Sequence, residues 1–371
     1  MPTSPHVLVA ALDWGLGHAT RMVPIIHVLR ELGLRVHLAG SGHSLVFLRN
    51  QFPDLPYLEL PAYRVRYSKG ARQGGAILRQ VPRLIRVIHQ EKKVLRRYAE
   101  DHDLAAVISD NRYGLHLPGR LSVFVTHQLY PLSPWSWLQP LVNFLHQRAM
   151  RPFDEIWVPD VATAPGFSGK LSHPAPSARI TYIGLLSRFM LPEYQLSKDR
   201  EEKNGAYMLA ILSGPEPQRS MWEEQILLQA KAAAIPTLLA RGKPAELAED
   251  PGPLIQTRSW VDGNTLAELI AGADLLVSRP GYSSLMDYTF LPIPPLLLVP
   301  TPGQTEQEYL GAQWKGKSAI LMQDQSRFEL KMAWDNRRHQ GERSSLLKPE
   351  DQLKKLTTTL TDFISRLRKY G

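Results

Sequence analysis

The chain has 371 residues, 43% of them hydrophobic and 21% charged, which is too apolar for a disordered chain and, at roughly 150 residues per domain, predicts two domains with a cleft. It contains no cysteine, so disulfides, thiolate nucleophiles, Cys-ligated zinc and iron–sulfur clusters are excluded and any chemistry falls to His, Asp, Glu, Lys, Arg, Ser or Tyr. Residues 1–190 carry the whole of the +9 net charge, with 22 Lys and Arg against 12 Asp and Glu, which points to nucleic acid, an acidic membrane or a phosphate-bearing substrate.

In chain order, residues 6–12 (HVLVAAL) predict a buried strand, 19–34 a helix with Val23, Ile26, Val28 and Leu29 on its apolar face, and 35–39 a second strand. The turn between strand and helix, Asp13-Trp14-Gly15-Leu16-Gly17-His18, offers glycine backbone and a helix N-terminus to an anion. A dinucleotide fingerprint fails at Thr20, and no acidic residue follows Gly40-Ser41-Gly42, so NAD is disfavoured and a plain tight turn stays open. His18 at this strand end is the candidate general base. Residues 78–98 form a basic amphipathic helix with Arg79, Arg83, Arg86, Lys92, Lys93, Arg96 and Arg97, suited to an anionic membrane surface or to simple solvation. A strand at 104–109 ends in Asp110, which could orient His18; His127, after a strand at 121–126, and Asp13 are second choices for substrate contact or as the base. The stretch 129–150, with Trp135, Trp137, Leu138, Leu141 and Phe144, fits a membrane or lipid-acceptor surface, core, or a dimer contact.

Strands at 155–158 and 179–183 complete an α/β doubly wound pattern, and the polar run 191–205 reads as a linker. The pattern restarts with a strand at 206–212, a helix at 220–233, strands at 237–240 and 275–278, helices at 265–271 and 283–290 and a strand at 295–299. The strand at 275–278 delivers Arg279-Pro280-Gly281, and Ser283-Ser284 opens a helix whose N–H groups suit a diphosphate. One turn on, Asp287 can accept from ribose hydroxyls, while the segment Gln304-Thr305-Glu306-Gln307 supplies polar groups for a sugar; an N-capped helix and a surface loop account for the serines alone. Residues 349–370 predict a last helix, with Leu353, Leu356, Leu360 and Phe363 on one face, and no transmembrane or signal segment is read, so a cytoplasmic chain is expected.

These residues resemble the donor-binding half of a GT-B glycosyltransferase of the family-28 type, which includes the peptidoglycan-precursor N-acetylglucosaminyltransferase and diacylglycerol galactosyltransferases. In that family a Gly-Gly-His turn follows the first strand, an R-x-G-x-S-T/S…E segment binds phosphates and ribose, and a P…Q-Q or E-Q segment binds the sugar. Here stand Gly15-Leu16-Gly17-His18, Arg279-Pro280-Gly281-Tyr282-Ser283-Ser284 with Asp287, and Pro300…Glu306-Gln307. The likeness is motif-specific over about residues 8–24 and 255–313.

The resemblance implies two Rossmann-like doubly wound domains facing a cleft: 1–190 for the acceptor, 206–345 for the nucleotide sugar, and a helix within 346–371 packing back on the first. It further implies that the loop Ser213-Gly214-Pro215-Glu216-Pro217-Gln218-Arg219 faces the donor diphosphate with Arg219 as charge partner, and that backbone at Trp260-Val261 reads uracil. Asp287 stands where Glu is usual and Gly311 where Asn is common. The implied reaction is metal-independent and inverting: His18, oriented by Asp110, deprotonates an acceptor hydroxyl that attacks a UDP-linked hexose or N-acetylhexosamine. A lipid-linked acceptor fits the basic half, and no cofactor is implied beyond the nucleotide sugar. A sugar-nucleotide epimerase on the same scaffold shares the donor motifs. A nucleic-acid binder fits less well, because the basic stripe carries aliphatics where stacking needs aromatics.

Overall fold

Short apolar runs, punctuated by glycine and proline, set the architecture: strands too short to stand alone are paired in parallel, and the central ones are buried on both faces, as parallel sheets require. A computed structural model describes residues 4–66, 68, 70, 73–173, 179–194, 196, 205–243, 252–317, 319–338 and 345–370. The chain divides into two compact units, the first formed by Met1–Val65, Ile77–Ser187 and Glu350–Gly371, the second by Arg66–Ala76 and Arg188–Pro349.

The first unit runs β1 (His6–Ala10), α1 (Leu16–Glu31), β2 (Arg35–Gly40), α2 (Gly42–Gln51), β3 (Tyr57–Glu59), α3 (Gln73–His102), β4 (Leu104–Asp110), β5 (Leu121–Val125), α4 (Gln139–Met150), β6 (Glu155–Val158) and β7 (Ile180–Tyr182). Its strands lie in the order β3-β2-β1-β4-β5-β6-β7, every neighbouring pair parallel. Val9 stands between Leu38 and Ile108 in register, and all three are fully buried. Helix α1 stops before Leu34, where the sequence pattern carried it, because Gly33 at φ 81 turns the chain left-handed while Gly33 N–H donates to the Arg30 carbonyl and Leu34 N–H to that of Leu29.

The second unit runs β8 (Met208–Ile211), α5 (Gln218–Ala232), β9 (Thr237–Ala240), β10 (Ile255–Arg258), α6 (Gly263–Gly272), β11 (Leu275–Ser278), α7 (Tyr282–Thr289), β12 (Leu296–Leu298), α8 (Thr305–Trp314), β13 (Ile320–Met322) and α9 (Leu330–Asp335). The strand order is β10-β9-β8-β11-β12-β13, again parallel throughout. Trp222 and Ile226 of α5 fill the core beneath Met208, Ala210, Leu239 and Val277.

Helix α10 (Pro349–Tyr370) closes the chain, and its residues from Glu350 cluster with the first unit. Its buried stripe of Leu356, Leu360, Phe363 and Leu367 follows the helical period. Phe363 meets Trp157 edge-on at 5.4 Å, and Leu185 N–H donates to Gln352 Oε1 at 3.0 Å.

Two boundaries differ from the sequence reading. Arg66–Ala76 belongs with the second unit although it lies inside 1–190, and so does the chain from Arg188. The expected linker is packed at its start: Leu191 and Tyr194 are buried, and a Cβ on Gly263 would meet the Tyr194 ring at 2.2 Å. Two apolar side chains in a polar run were enough to hold it down; residues 195 and 197–204 of that span lie outside the described residues. No helix among the described residues is long and apolar enough to cross a membrane.

Candidate active site

An open parallel sheet gathers ligands where its strand order reverses, at the C-terminal ends of the two strands flanking the reversal. In the first unit that point lies between β1 and β4, in the second between β8 and β11. The sequence-predicted residues fall at both.

At the first reversal, Gly15 (φ 154) takes a backbone conformation that side-chain-bearing residues rarely adopt, so α1 begins at Leu16 and carries Gly17 and His18 in its first turn. The predicted start at Ala19 is therefore three residues late. No side chain caps this helix, which leaves backbone N–H groups facing the reversal. His18 Nδ1 lies 3.0 Å from Oδ2 of Asp110, the last residue of β4; His18 is one-fifth exposed and Asp110 fully buried. Burial alone would raise the Asp110 carboxyl, but the Arg21 guanidinium and His18 outweigh it and hold the group below the ordinary carboxylate range.

Arg21 is the member of this cluster that sequence reasoning missed. It is 2% exposed, donates through Nε (2.9 Å) and Nη2 to the two Asp110 oxygens, and places Nη1 3.0 Å from His127 Nδ1. The available signal was its spacing of three from His18, which puts both on one face of α1. His127, offered as an alternative base, is buried against this guanidinium. Asp13 is an anchor: its Oδ2 accepts from Ser41 Oγ and Tyr63 N–H, both at 3.0 Å. A second buried network stands beside it, in which Arg112 donates to Glu91 at 2.6 Å and to Ser41, and Tyr63 donates to Glu91 at 2.9 Å. Burial raises Glu91 to about 7 against the pull of Arg112.

At the second reversal, Ser213 and Gly214 (φ 101) follow β8, with open space where a Gly214 side chain would stand. Gly281, Ser283 and Ser284 are half-buried at the start of α7, whose first N–H groups lack intrahelical partners, and Asp287 is half-buried in its last turn. Buried Arg188 is drawn electrostatically to Asp287. Arg279, fully buried at the end of β11, donates to the Val299 carbonyl and Gln325 Oε1, both neutral, and stacks 4.1 Å over the Trp222 ring; burial pushes it down to about 9. Gly311 brings α8 against the same turn, since a Cβ there would press Pro280 at 3.3 Å and Met322 at 3.1 Å. That contact explains glycine where the resemblance led us to look for asparagine. Gln304 and Glu306 are half-buried at the α8 N-terminus, and Gln304 Oε1 is buried without a hydrogen-bond partner among the described residues. Val261 is half-buried between β10 and α6.

Two residues expected to contact the donor are bonded within the protein. Arg219 is 5% exposed and its guanidinium donates to Glu223 (2.9 Å) and the Arg241 carbonyl (3.1 and 2.7 Å), bracing α5. Gln307 is buried, and its Oε1 accepts from Thr301 N–H at 2.8 Å, holding the loop after β12 in place of contacting a sugar through that oxygen.

The exposed faces of the two segments read as surface elements are now defined. On α3, Leu78, Arg79, Val81, Ile85 and Arg86 are exposed, while Val87 and Leu95 face the core. The 129–150 stretch is not core at Trp137, Leu141, Phe144 and Leu145, which are exposed, Trp137 to 76%.

No family model matches the chain, and no curated protein matches it in sequence. Solved structures do. The glycotransferase of kitacinnamycin superposes with a TM-score of 0.63 at 14% identity, covering 99% of this chain and 100% of that one. The glycosyltransferase VinC, in complex with dTDP, gives 0.58 at 16% identity over 99% and 100%, and Acinetobacter baumannii MurG gives 0.50 at 13% over 98% and 99%. Likeness along the whole of both chains at such low identity is a likeness of architecture, and with two parallel α/β units in hand it establishes that this chain has the GT-B fold.

Proposed function

We propose that the protein is an inverting, metal-independent glycosyltransferase that moves a hexose or N-acetylhexosamine from a nucleoside-diphosphate sugar, UDP-linked, to a hydroxyl acceptor. The observation that carries this is the His18–Asp110 pair at 3.0 Å, standing at the strand-order reversal of the first unit of a GT-B chain. In this reading Nε2 of His18 takes the acceptor proton as the oxygen attacks the anomeric carbon; the bond from that carbon to the diphosphate oxygen breaks, and the diphosphate leaves with the electron pair. Attack opposite the leaving group inverts the centre. The α7 N-terminus with Gly281, Ser283 and Ser284, the open backbone at Ser213-Gly214, and the fixed charge of Arg279 support diphosphate stabilisation by preorganised donors. Asp287 and the unsatisfied Gln304 oxygen suit ribose and sugar hydroxyls. The presence of dTDP in VinC supports a nucleoside diphosphate, and uracil follows from the family-28 resemblance.

The acceptor is proposed to be lipid-linked and reached at an anionic membrane surface. Basic and apolar side chains exposed together on α3, and Trp137, Leu141, Phe144 and Leu145 on α4, support this, each surface Lys or Arg contributing ~1 kcal/mol. The test is incubation with UDP-hexoses and UDP-N-acetylhexosamines, with and without lipid hydroxyl acceptors, followed by NMR of the anomeric centre. Transfer with inversion supports the reading. Retention overturns the mechanism, and deuterium uptake from solvent into recovered sugar nucleotide without acceptor replaces transfer by epimerisation.

A further inference from the structure

The hydrogen bonds of Arg21 carry an inference that rests on reading His18 as the acceptor base. A guanidinium has five N–H donors, no acceptor, and stays charged, so whatever stands opposite it must accept. Arg21 Nη1 lies 3.0 Å from His127 Nδ1; that nitrogen therefore presents its lone pair, and the ring proton sits on Nε2. A second proton on His127 would break this bond and set an imidazolium against a guanidinium. The Gln128 amide, 3.3 Å from His127 Nε2, accepts that proton when its oxygen is turned inward.

At His18 the same guanidinium acts differently. Nδ1 lies 3.0 Å from Asp110 Oδ2, which only accepts, and 3.0 Å from Arg21 Nη2, which only donates. Asp110 also accepts from Arg21 Nε, from Arg21 Nη2 and, at 3.2 Å, from Asn111 Nδ2. The Arg21–Asp110 pair is thus neutral and satisfied without His18.

We propose that Arg21 is a positioning residue that acts on both histidines: it locks His127 in the Nε2–H tautomer and, by donating to both Asp110 oxygens, fixes the carboxylate against which His18 Nδ1 stands. The charged and titratable groups linked to His18 are Arg21 from α1, Asp110 from β4 and, through Arg21, His127 after β5. His127 is accordingly a fixed donor and does not substitute as base.

The experiment is nitrogen NMR of the full chain labelled in its histidine rings, recorded at pH 7 for the wild type, Arg21→Met and Arg21→Lys. The wild type is expected to show His127 with a bare Nδ1 and a protonated Nε2. In Arg21→Met, His127 loses its single tautomer. Arg21→Lys keeps the charge but lacks the fork, so His127 is released there too. A wild-type His127 protonated on Nδ1, or an unchanged His127 tautomer in Arg21→Met, overturns the proposal. Should Arg21→Met fail to fold, the wild-type spectrum and Arg21→Lys still decide it. The readout needs no sugar transfer: an inactive protein with these tautomers sinks the glycosyltransferase reading alone, and an active one with other tautomers sinks the role of Arg21 alone.

Discussion

Replacing Asp110 by asparagine should show how far the first unit depends on its buried charge cluster. Asp110 is fully buried, accepts from Arg21 through both oxygens, from His18 and from Asn111, and is the only carboxylate bonded to Arg21 among the described residues. The asparagine keeps the shape but turns an amide donor toward a guanidinium and leaves the buried Arg21 charge uncompensated. Breaking a buried pair in this way costs roughly 3–5 kcal/mol. For a unit of about 200 residues, at roughly 2–4 °C per kcal/mol, the melting temperature at pH 7 should fall by roughly 6–20 °C. The pH dependence has a definite sign. The folded Asp110 carboxyl lies below its ordinary value, so its stabilisation is fully present above the unfolded value of about 3.9 and is lost as pH falls through the folded one. Asparagine does not titrate, and the gap between variant and wild type should therefore narrow below about pH 4. Scanning calorimetry at pH 7 and at pH 3 reads both effects. A variant melting within about 2 °C of the wild type at pH 7 would refute the assignment of Asp110 as the cluster's counter-charge, since even 1 kcal/mol shifts a unit of this size by that much.

Four further outcomes are expected. His18→Ala should lower transfer by about 10²–10⁴-fold and leave nucleotide affinity unchanged by titration calorimetry, because the base acts on the acceptor. Asp287→Ala should weaken nucleoside-diphosphate binding by about 10–150-fold, the loss of a charge-assisted hydrogen bond of about 1.5–3 kcal/mol; equal affinities would remove Asp287 from the ribose. Transfer should survive EDTA, and a strict Mg²⁺ or Mn²⁺ requirement would end the metal-free mechanism. Exchanging Trp137 and Phe144 together for serine should reduce sedimentation with anionic vesicles while melting stays put, as both side chains are exposed.

What the sequence made legible follows from physical locality. Strand runs, the glycine that starts α1 and the polar residues at strand ends are short-range features, and they placed His18 beside Asp110 and Gly281–Asp287 at a strand-order reversal. Helix α2 and the edge strand β3 escaped notice because the apolar residues of 42–51 form one continuous run, Leu45–Leu48, without a helical stripe, and a three-residue strand carries almost no period. Arg21 was hidden for a different reason: a charged residue is read as exposed, and only the carboxylate brought in by β4, 89 residues later, makes its burial tolerable. Arg219 and Gln307 differ in the opposite way. Their residue types matched a motif, but where a side chain points depends on Glu223, the Arg241 carbonyl and Thr301 N–H, which no spacing rule supplies.

The central claim is that the second unit binds a nucleoside diphosphate, and a thermal-shift titration of the purified protein with UDP, dTDP, GDP and UMP tests it most directly. Binding to the native state raises apparent stability by RT ln(1 + [L]/Kd), about 2.7 kcal/mol at a hundredfold excess over Kd. UDP should raise the melting temperature more than the other three. No stabilisation by any of the diphosphates at millimolar concentration would contradict the account.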